Sequence, residues 1–560
     1  MKCSNKHLSK TSTLNMYLIS GTLVVLAVAC SSATKVSKTI EESKNEVMPM
    51  IAVSQPLEVQ TLDKAQIAGE HLADASIMLK RSKFHSRQNQ VQFNRVSPPL
   101  MNTPNYSSDY NDESYQHYSE NGIKSVLQHP VSTFSVDVDT GSYANVRRMI
   151  NQGMLPPENA IRMEEFINYF NYDYPQLSEN SVDAPFSIDT AIATSPWAKQ
   201  RHIMRIGLKG FSPDIEQITG RNLVFLLDVS GSMNQTNKLP LLIRSLGLLT
   251  SQLNEKDSVS IVVYAGASGV VLEPTQGDQK AKIKQALAKL SAGGSTNGQA
   301  GIELAYNLAE QAFITGGVNR VILATDGDFN VGVTSHDRLI ELIKRKRQKG
   351  IALTTLGFGQ GNYNDHLMEQ LADAGNGNYA YIDTIHEARK VLVDEMNATL
   401  LTIAKDVKIQ VEFNPDLVAE YRLLGYENRA LKPEDFNNDQ VDAGEIGAGH
   451  TVTALYELTL KASNNPYVDP LRYQVAQVKS DGKALKNKFS NELALVKLRY
   501  KPVNSQKSQL IKHTVMLSQI TEFNQQSDDF RFASSVVGFA HLLKHSHYWQ
   551  DMGYQQIIDI

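Results

Sequence analysis

Five oxygen-bearing side chains at three separate places in the chain are suited to hold one metal ion. They are Asp228, Ser230, Ser232, Thr296 and Asp326. The first three form a D-x-S-x-S loop directly after the apolar run 222–228, the threonine follows two glycines at 293–294, and the last aspartate ends the apolar run 320–326. With two carboxylates, three hydroxyls and neither cysteine nor histidine, the set favours Mg²⁺, with Mn²⁺ or Ca²⁺ as alternatives, over Zn²⁺.

The three hydroxyls matter because they are neutral ligands. An ion that binds few negative charges directly keeps net positive character, and Mg²⁺ requires six oxygens in all. An aspartate or glutamate from another protein can therefore complete its shell. The residue types predict a protein partner with an exposed acidic group and no small-molecule cofactor.

The elements around these side chains predict an α/β fold. Between about 219 and 401, apolar strand-like runs alternate with amphipathic helical patterns. This alternation is typical of a mainly parallel sheet with helices on both faces. Ligands of such sheets bind beyond the carboxyl ends of the strands, so we expect the three loops to meet at one edge.

This arrangement resembles the von Willebrand factor type A domain and its metal-ion-dependent adhesion site, because the D-x-S-x-S loop, the threonine and the second aspartate match in order and spacing. The resemblance implies a Rossmann-like fold. It also implies that the hydroxyls coordinate the ion directly or nearly so, while the two aspartates act largely through water. We interpret Asp328 and Asn330 as rim residues of the metal edge.

Motifs on both sides narrow the resemblance to a subgroup of bacterial lipoproteins. They are HPVSTFSVDVDTGSYANVRRMINQG, EEFINYFNYDYP and TDGDFNVGVT. Members of this subgroup have a dedicated N-terminal region and a family-specific C-terminal region, and the similarity covers about 116–550. It implies a binding or scaffold module and not an enzyme.

The first 30 residues have the order of a secretory signal peptide. Early lysines precede an apolar run at 14–29, which is short for a membrane-spanning helix of roughly 20 residues. The tetrad 27–30 (AVAC) resembles a lipobox, with ordinary cleavage near Ala29 as the alternative. We expect a lipid anchor at Cys30 in the bacterial cell envelope, in the outer membrane facing the periplasm or, as the alternative, on the outer surface.

Composition divides the rest of the chain into four parts. They are a polar, disordered tether at 31–115 with a short helix near 63–80, an N-terminal flanking domain at 116–218, the α/β domain at 219–401, and a β-rich C-terminal domain with a terminal helix at 402–560. We expect strands in 186–210 and in part of 407–500 to pair into one discontinuous β-sandwich around the α/β domain. The net charge of −4 offers no basic field for nucleic acid.

Other signals support alternatives. Asp139 begins a D-T-G-S stretch like that of aspartic proteases, which need a second such carboxylate. An envelope hydrolase that uses Asp139 or the metal is therefore an alternative function. We interpret Asp137 and Asp139 as turn and helix caps instead. His541 and His545 could share a zinc ion, but a solvated helix end is the simpler interpretation. A third possibility is a metal-free scaffold.

Overall fold

The structure is a computed structural model that describes residues 113–560 except for short segments. These are 177–183, 213–218, 296–297, 328, 330–335, 464–465, 470–488 and 550–551. The expected signal peptide, the lipidation site Cys30, the segment 31–112 and the helix near 63–80 lie outside the described residues. Within the described part, no helix is both long and apolar enough to span a bilayer.

The strands and helices are numbered in chain order. The strands are β1 (Lys124–Ser125), β2 (Val131–Ser135), β3 (Phe186–Thr194), β4 (His202–Gly210), β5 (Arg221–Asp228), β6 (Ser258–Tyr264), β7 (Ser268–Gln276), β8 (Val318–Thr325), β9 (Ala352–Phe358), β10 (Tyr379–Ile382), β11 (Thr402–Phe413), β12 (Val418–Leu424), β13 (Ile446–Gly447), β14 (Thr451–Leu460), β15 (Glu492–Pro502), β16 (Gln509–Met516) and β17 (Ile520–Thr521). The α-helices are α1 (Gly141–Asn151), α2 (Met163–Asn168), α3 (Leu239–Gln252), α4 (Lys280–Ala288), α5 (Gly298–Gln311), α6 (His336–Gln348), α7 (Asp365–Ala374), α8 (Ile385–Arg389), α9 (Met396–Leu400), α10 (Asp528–Leu543) and α11 (Tyr554–Ile558).

The central domain, residues 221–400, is built on a six-stranded sheet in the order β10-β9-β8-β5-β6-β7. All neighbours are parallel except β7, which pairs antiparallel with β6 at one edge. Strand β5 is buried along its whole length because helices cover both faces. Leu223, Phe225 and Leu227 point into one core and Val224 and Leu226 into the other. The predicted α/β class is confirmed.

The pattern of 386–401 predicts a helix over this range, but the structure divides the region into three pieces. Helix α8 is followed by a π-helical turn at Lys390–Asp394 and then by α9. The side chain of Thr384 caps α8 by accepting a hydrogen bond from the backbone of Glu387. A π-helical turn has more residues per turn than an α-helix. The apolar residues of 386–401 therefore did not indicate where one helical piece ends and the next begins.

The flanking domain comprises the described residues of 113–210 and 402–560. One of its sheets has the order β1-β12-β14-β4-β3-β17, and the other has the order β13-β11-β15-β16 with β2 on β11. Strand β4 precedes the central domain and β14 follows it, yet they pair antiparallel from Lys209–Thr451 to His202–Leu458. The predicted discontinuous sandwich is therefore present.

The core of the sandwich lies between the two sheets. Phe134 of β2, Met204 of β4, Val411 of β11 and Tyr456 of β14 belong to one buried cluster. The rings of Phe134 and Tyr456 meet edge to face with centroids 6.3 Å apart. Helices α2 and α10 cover the outer face of the first sheet in a second cluster. An Asp or Ser near residue 527 can cap the start of the terminal helix, and in the structure the hydroxyl of Ser527 caps α10 by accepting a hydrogen bond from the backbone of Phe530.

Two expectations at the start of the flanking domain are wrong. The aromatic pattern of 161–174 predicts one helix over this range, but α2 is shorter, because the chain turns so that Tyr172 and Tyr174 become buried. The predicted tether 31–115 also extends too far. The buried carboxylate of Glu113 pairs with Arg148 on α1 at 2.9 Å, and this ion pair fixes the segment at 113–115.

Candidate metal centre

The carboxylate of Asp228 fixes the D-x-S-x-S loop at the end of β5. One oxygen accepts the backbone N–H of Ser230 at 2.8 Å. The other accepts the hydroxyls of Thr325 at 2.9 Å and Tyr264 at 3.3 Å. The side chain is fully buried. Three donors from three neighbouring strands or loops therefore hold this aspartate in one orientation.

The two serines of the loop point their hydroxyls at each other. The Oγ atoms of Ser230 and Ser232 lie 3.0 Å apart. Ser230 is buried, whereas Ser232 is exposed, and the side chain of Met233 anchors the turn in the core. Two neutral oxygen ligands thus lie side by side at the surface end of a buried strand.

The glycine-rich loop is attached to this serine loop. The backbone N–H of Gly231 donates to the carbonyl of Gly294 at 3.0 Å, and that of Gly293 donates to the carbonyl of Val229 at 2.7 Å. Gly294 has φ of +86°, a conformation that favours glycine. The expected ligand Thr296 lies outside the described residues, as do the rim residues Asp328 and Asn330.

Asp326 is buried beyond the end of β8 and pairs with a lysine. The ammonium of Lys238 donates a hydrogen bond of 2.8 Å to Oδ2 of Asp326, and both side chains are almost fully buried. The stem of Lys238 lies against Gly359, where any Cβ would overlap it. No sequence motif marked this lysine. The signal that could have found it is a charge directly before the apolar first turn of α3.

The electrostatics of the centre favour a bound cation. Burial raises the pKa of the Asp228 carboxyl to about 6, and nearby Asp326 adds to this rise, while hydrogen bonds from Ser230 and Thr325 oppose it. A hard divalent cation would relieve the cost of burying these charges. The described donor set of two carboxylates and two hydroxyls fits such an ion.

The structure places Asp137 and Asp139 away from this centre and inside the protein. Asp137 accepts the backbone N–H of Asp139 at 2.9 Å, so its role in a turn is confirmed. Asp139 accepts the backbone N–H of Tyr379 at 2.8 Å, and Arg429 contacts both carboxylates. The expected helix cap is wrong, because no side chain caps α1. A buried and fully engaged Asp139 does not fit a protease-type carboxylate.

The histidines near the end of α10 do not form a common site. His541 is buried and stacks on Trp549 with ring centroids 5.6 Å apart, so the expectation of a solvated helix end is wrong for it. His545 and His547 are exposed. The reason is tertiary, since the chain after α10 folds back over the helix and α11 packs against it.

Three family models match the chain. The von Willebrand factor type A domain matches residues 222–394, a second model described as von Willebrand factor matches 109–205, and the C-terminal model of the uncharacterized protein YfbK matches 398–560. The chain is also 46% identical to "Uncharacterized protein YfbK" of Escherichia coli (strain K12) over 447 residues, which are 79% of this chain and 76% of that protein. The chain belongs to the YfbK family of von Willebrand factor type A domain proteins.

Other similarities are more limited. "Uncharacterized protein sll0103" of Synechocystis sp. is 29% identical over 185 residues, which are 33% of this chain and 43% of that protein. A von Willebrand factor type A structure from Catenulispora acidiphila is 13% identical with a TM-score of 0.39, covering 65% of this chain and 81% of that one. This likeness is too distant to support a further conclusion.

Membership in the YfbK family has a consequence for the centre. Von Willebrand factor type A domains often bind a divalent cation, and they suggest a role in protein binding or adhesion. In this YfbK-family chain the matched range 222–394 contains all five residues that the sequence analysis selected.

Proposed function

We propose that the chain binds another protein through a divalent cation held at the carboxyl end of β5 and β8, with Mg²⁺ as the favoured ion. The proposed ligands are Asp228, Ser230, Ser232, Thr296 and Asp326. The observation that supports this most is the pair of serine hydroxyls, 3.0 Å apart, above the buried carboxylate of Asp228. Such a set binds a hard cation without saturating its charge.

The proposed partner presents an aspartate or glutamate to the ion. Ser232 is exposed, so an ion beside it would face solvent and keep positions for outside oxygens. Lys238 compensates part of the charge of Asp326, which leaves more of the positive field of the ion for the partner. Both features favour an anionic group of a protein as the final ligand.

We also propose that the protein is a lipoprotein of the bacterial cell envelope. The support is the order of the N-terminal residues, in which early lysines, an apolar run and Cys30 follow one another. A lipid at Cys30 would attach the chain to a membrane, with the outer membrane facing the periplasm favoured. Metabolic labelling with a radioactive fatty acid tests this, and a Cys30→Ala chain that is labelled like the native one would refute it.

The binding proposal is tested by crosslinking and pull-down from envelope extract. The bait is the full chain in 2 mM Mg²⁺ (about the millimolar level at which weak sites fill) or in EDTA. We expect partners to be captured in Mg²⁺ and lost in EDTA. Capture should also be lost with Asp228→Ala and with Ser232→Ala, whose exposed position leaves the fold intact. Asp278→Ala, which removes an exposed carboxylate on the same domain, serves as the matched control.

Capture that persists in EDTA and in both site variants would contradict metal-dependent binding. It would support the second candidate, a metal-free scaffold. The observation that favours this candidate is the ion pair of Lys238 with Asp326, because an ammonium already neutralises one expected metal-site carboxylate. Metal analysis of the native chain after dialysis against millimolar Mg²⁺ separates the two, since a scaffold of this kind retains no ion.

A further inference from the structure

A second group of carboxylates lies inside the protein, where the central domain meets the flanking domain. Asp137 follows β2, Glu165 lies on α2, and Glu369 lies on α7 of the central domain. One oxygen from each lies within 4.8 Å of the others, and all three residues are at most 3% exposed. Oxygen ligands on opposite sides of a Ca²⁺ ion, at bonds of about 2.4 Å, are about 4.8 Å apart. The group therefore has the dimensions of one ion site.

One carboxylate oxygen of Glu369 accepts no hydrogen bond. Oε1 of Glu369 accepts a hydrogen bond of 2.6 Å from the amide of Asn428. Oε2 of the same side chain is buried and accepts no hydrogen bond, and the guanidinium of Arg162 is 3.8 Å from it. The amide oxygen of Asn428 is likewise buried without a hydrogen bond. Buried polar oxygens almost always have a hydrogen-bond partner or another ligand. A bound cation would supply one for the carboxylate oxygen of Glu369 and for the amide oxygen of Asn428.

The charges around the group do not balance. The group and its neighbours comprise six buried carboxylates, namely Asp137, Asp139, Glu164, Glu165, Asp365 and Glu369. The two cations among them are Arg162 and Arg429. Arg162 contacts Glu165 and Asp365, and Arg429 contacts the two early aspartates. Both arginines also contact Glu369, at the longer distances of 3.8 and 3.5 Å. Each arginine thus serves several acids at once. Negative charge that is buried without a counter-ion is costly, so either protons or a metal ion must neutralise the excess.

We propose that Asp137, Glu165 and Glu369 bind one Ca²⁺ ion, with the amide oxygen of Asn428 as a further ligand. The ligands are all oxygens from separate segments, and Ca²⁺ accepts such irregular oxygen shells. Mg²⁺ fits less well because it keeps several waters in a strict octahedron, and this site is enclosed. The ion joins α7 to α2 and to the chain after β2, so it fixes the orientation of the central domain on the sandwich.

Neutralisation by protons is the competing explanation. Burial raises the pKa of Glu165 to about 8, although Arg162 opposes the rise, and burial also raises the pKa of Glu369. Protonated carboxyls at neutral pH would leave no role for a metal. Direct measurement of bound Ca²⁺ distinguishes the two explanations.

The test counts Ca²⁺ ions on the full chain by equilibrium dialysis with radioactive Ca²⁺ at neutral pH. The Asp228→Ala chain lacks the centre at β5, and we expect it to bind one ion. The double variant Asp228→Ala/Glu369→Gln should bind none, because a neutral amide of the same shape replaces the carboxylate of Glu369. Asp228→Ala/Glu341→Gln, which changes an exposed glutamate of α6, should retain one ion.

An Asp228→Ala chain without bound Ca²⁺, or one whose ion survives Glu369→Gln, would overturn the proposal. The native chain and the single variant Glu369→Gln provide the same comparison if Asp228→Ala fails to fold. If both centres bind Ca²⁺, the native chain holds two ions and Glu369→Gln holds one. If the centre at β5 is metal-free, the native chain holds one and Glu369→Gln none. Failure of one proposal is therefore distinguishable from failure of the other.

Discussion

The ammonium of Lys238 donates a hydrogen bond of 2.8 Å to Oδ2 of Asp326 inside the protein. The lysine precedes α3, and the aspartate follows β8. This ion pair lies at the edge of the sheet where we propose a metal ion. A metal bound there would share the carboxylate of Asp326 with Lys238, so the lysine would stabilise the metal-free protein and compete electrostatically with the ion.

Replacing Lys238 with methionine separates these two effects. Without metal, Lys238→Met removes the ammonium that neutralises the buried carboxylate of Asp326, so we expect a loss of about 3 kcal/mol in the free energy of unfolding. The affinity for Mg²⁺ should rise, because a like charge is removed. Chemical denaturation in EDTA and Mg²⁺ titration by calorimetry measure both. The exposed Lys282→Met is the control, and unchanged stability in EDTA would show that the ion pair is not important.

The contact between α1 and β10 depends on a glycine. A Cβ at residue 141 would overlap the ring of Tyr379, which is buried. We expect Gly141→Ala to lower the free energy of unfolding by about 1–3 kcal/mol, as overpacked cores do. Gly247→Ala in α3 is the matched control, since nothing lies near its Cβ position. It should stabilise the protein by about 0.5–1 kcal/mol through helix propensity. Equal effects of the two changes in thermal denaturation would contradict this contact.

The guanidinium of Arg429 contacts carboxylates of both domains. It contacts Asp137, Asp139, Glu369 and Asp373. Arg429→Met leaves these carboxylates without their counter-ion, and we expect a loss of about 3–5 kcal/mol. Urea denaturation measures it.

Arg531→Met serves as the control for this change. Arg531 pairs with Asp528 at the surface, so its removal should change stability by about 0.5 kcal/mol or less. Similar losses in the free energy of unfolding for the two arginine variants would show that the buried contacts of Arg429 do not stabilise the protein.

The buried His541 predicts a dependence of stability on pH. Burial lowers the pKa of its imidazole well below the usual value, and nearby Arg422, Lys544 and His547 add to this. As the pH falls below about 6.5, the unfolded chain binds a proton that the folded chain excludes, so stability falls. We expect His541→Phe, which can still stack on Trp549, to raise the melting temperature at pH 5 relative to the native chain and to change it little at pH 8.

The exposed His129 provides the comparison for this variant. His129→Phe should leave the pH profile of the melting temperature unchanged. If the profiles of the native chain and His541→Phe coincide between pH 5 and pH 8, the histidine does not cause the acid sensitivity.

The features that the sequence predicted correctly share one physical basis. Asp228 and Asp326 end buried apolar runs, and parallel strands bring their carboxyl ends to one edge. The alternating pattern of β4 and β14 likewise predicted that both are sheet strands, although both of their faces are buried in the structure. Local periodicity was sufficient in these places because it reports directly on burial.

The features that the sequence did not predict depend on distant contacts. Lys238 meets Asp326 only through tertiary structure, and Glu369 meets Asp137 and Glu165 across two domains. No spacing in the chain signals such pairs. Strand β7 was missed because it is a half-exposed edge strand with weak alternation.

The pairing of β4 with β14 has a consequence for biosynthesis. Synthesis of the chain reaches β4 long before β14, and the whole central domain emerges in between. Until β14 arrives, one edge of β4 has no partner, and such edges promote aggregation. The central domain can meanwhile form its sheet from contiguous sequence. We therefore expect the central domain to fold before the sandwich is complete, while the open edge of β4 requires protection until the last strands are available.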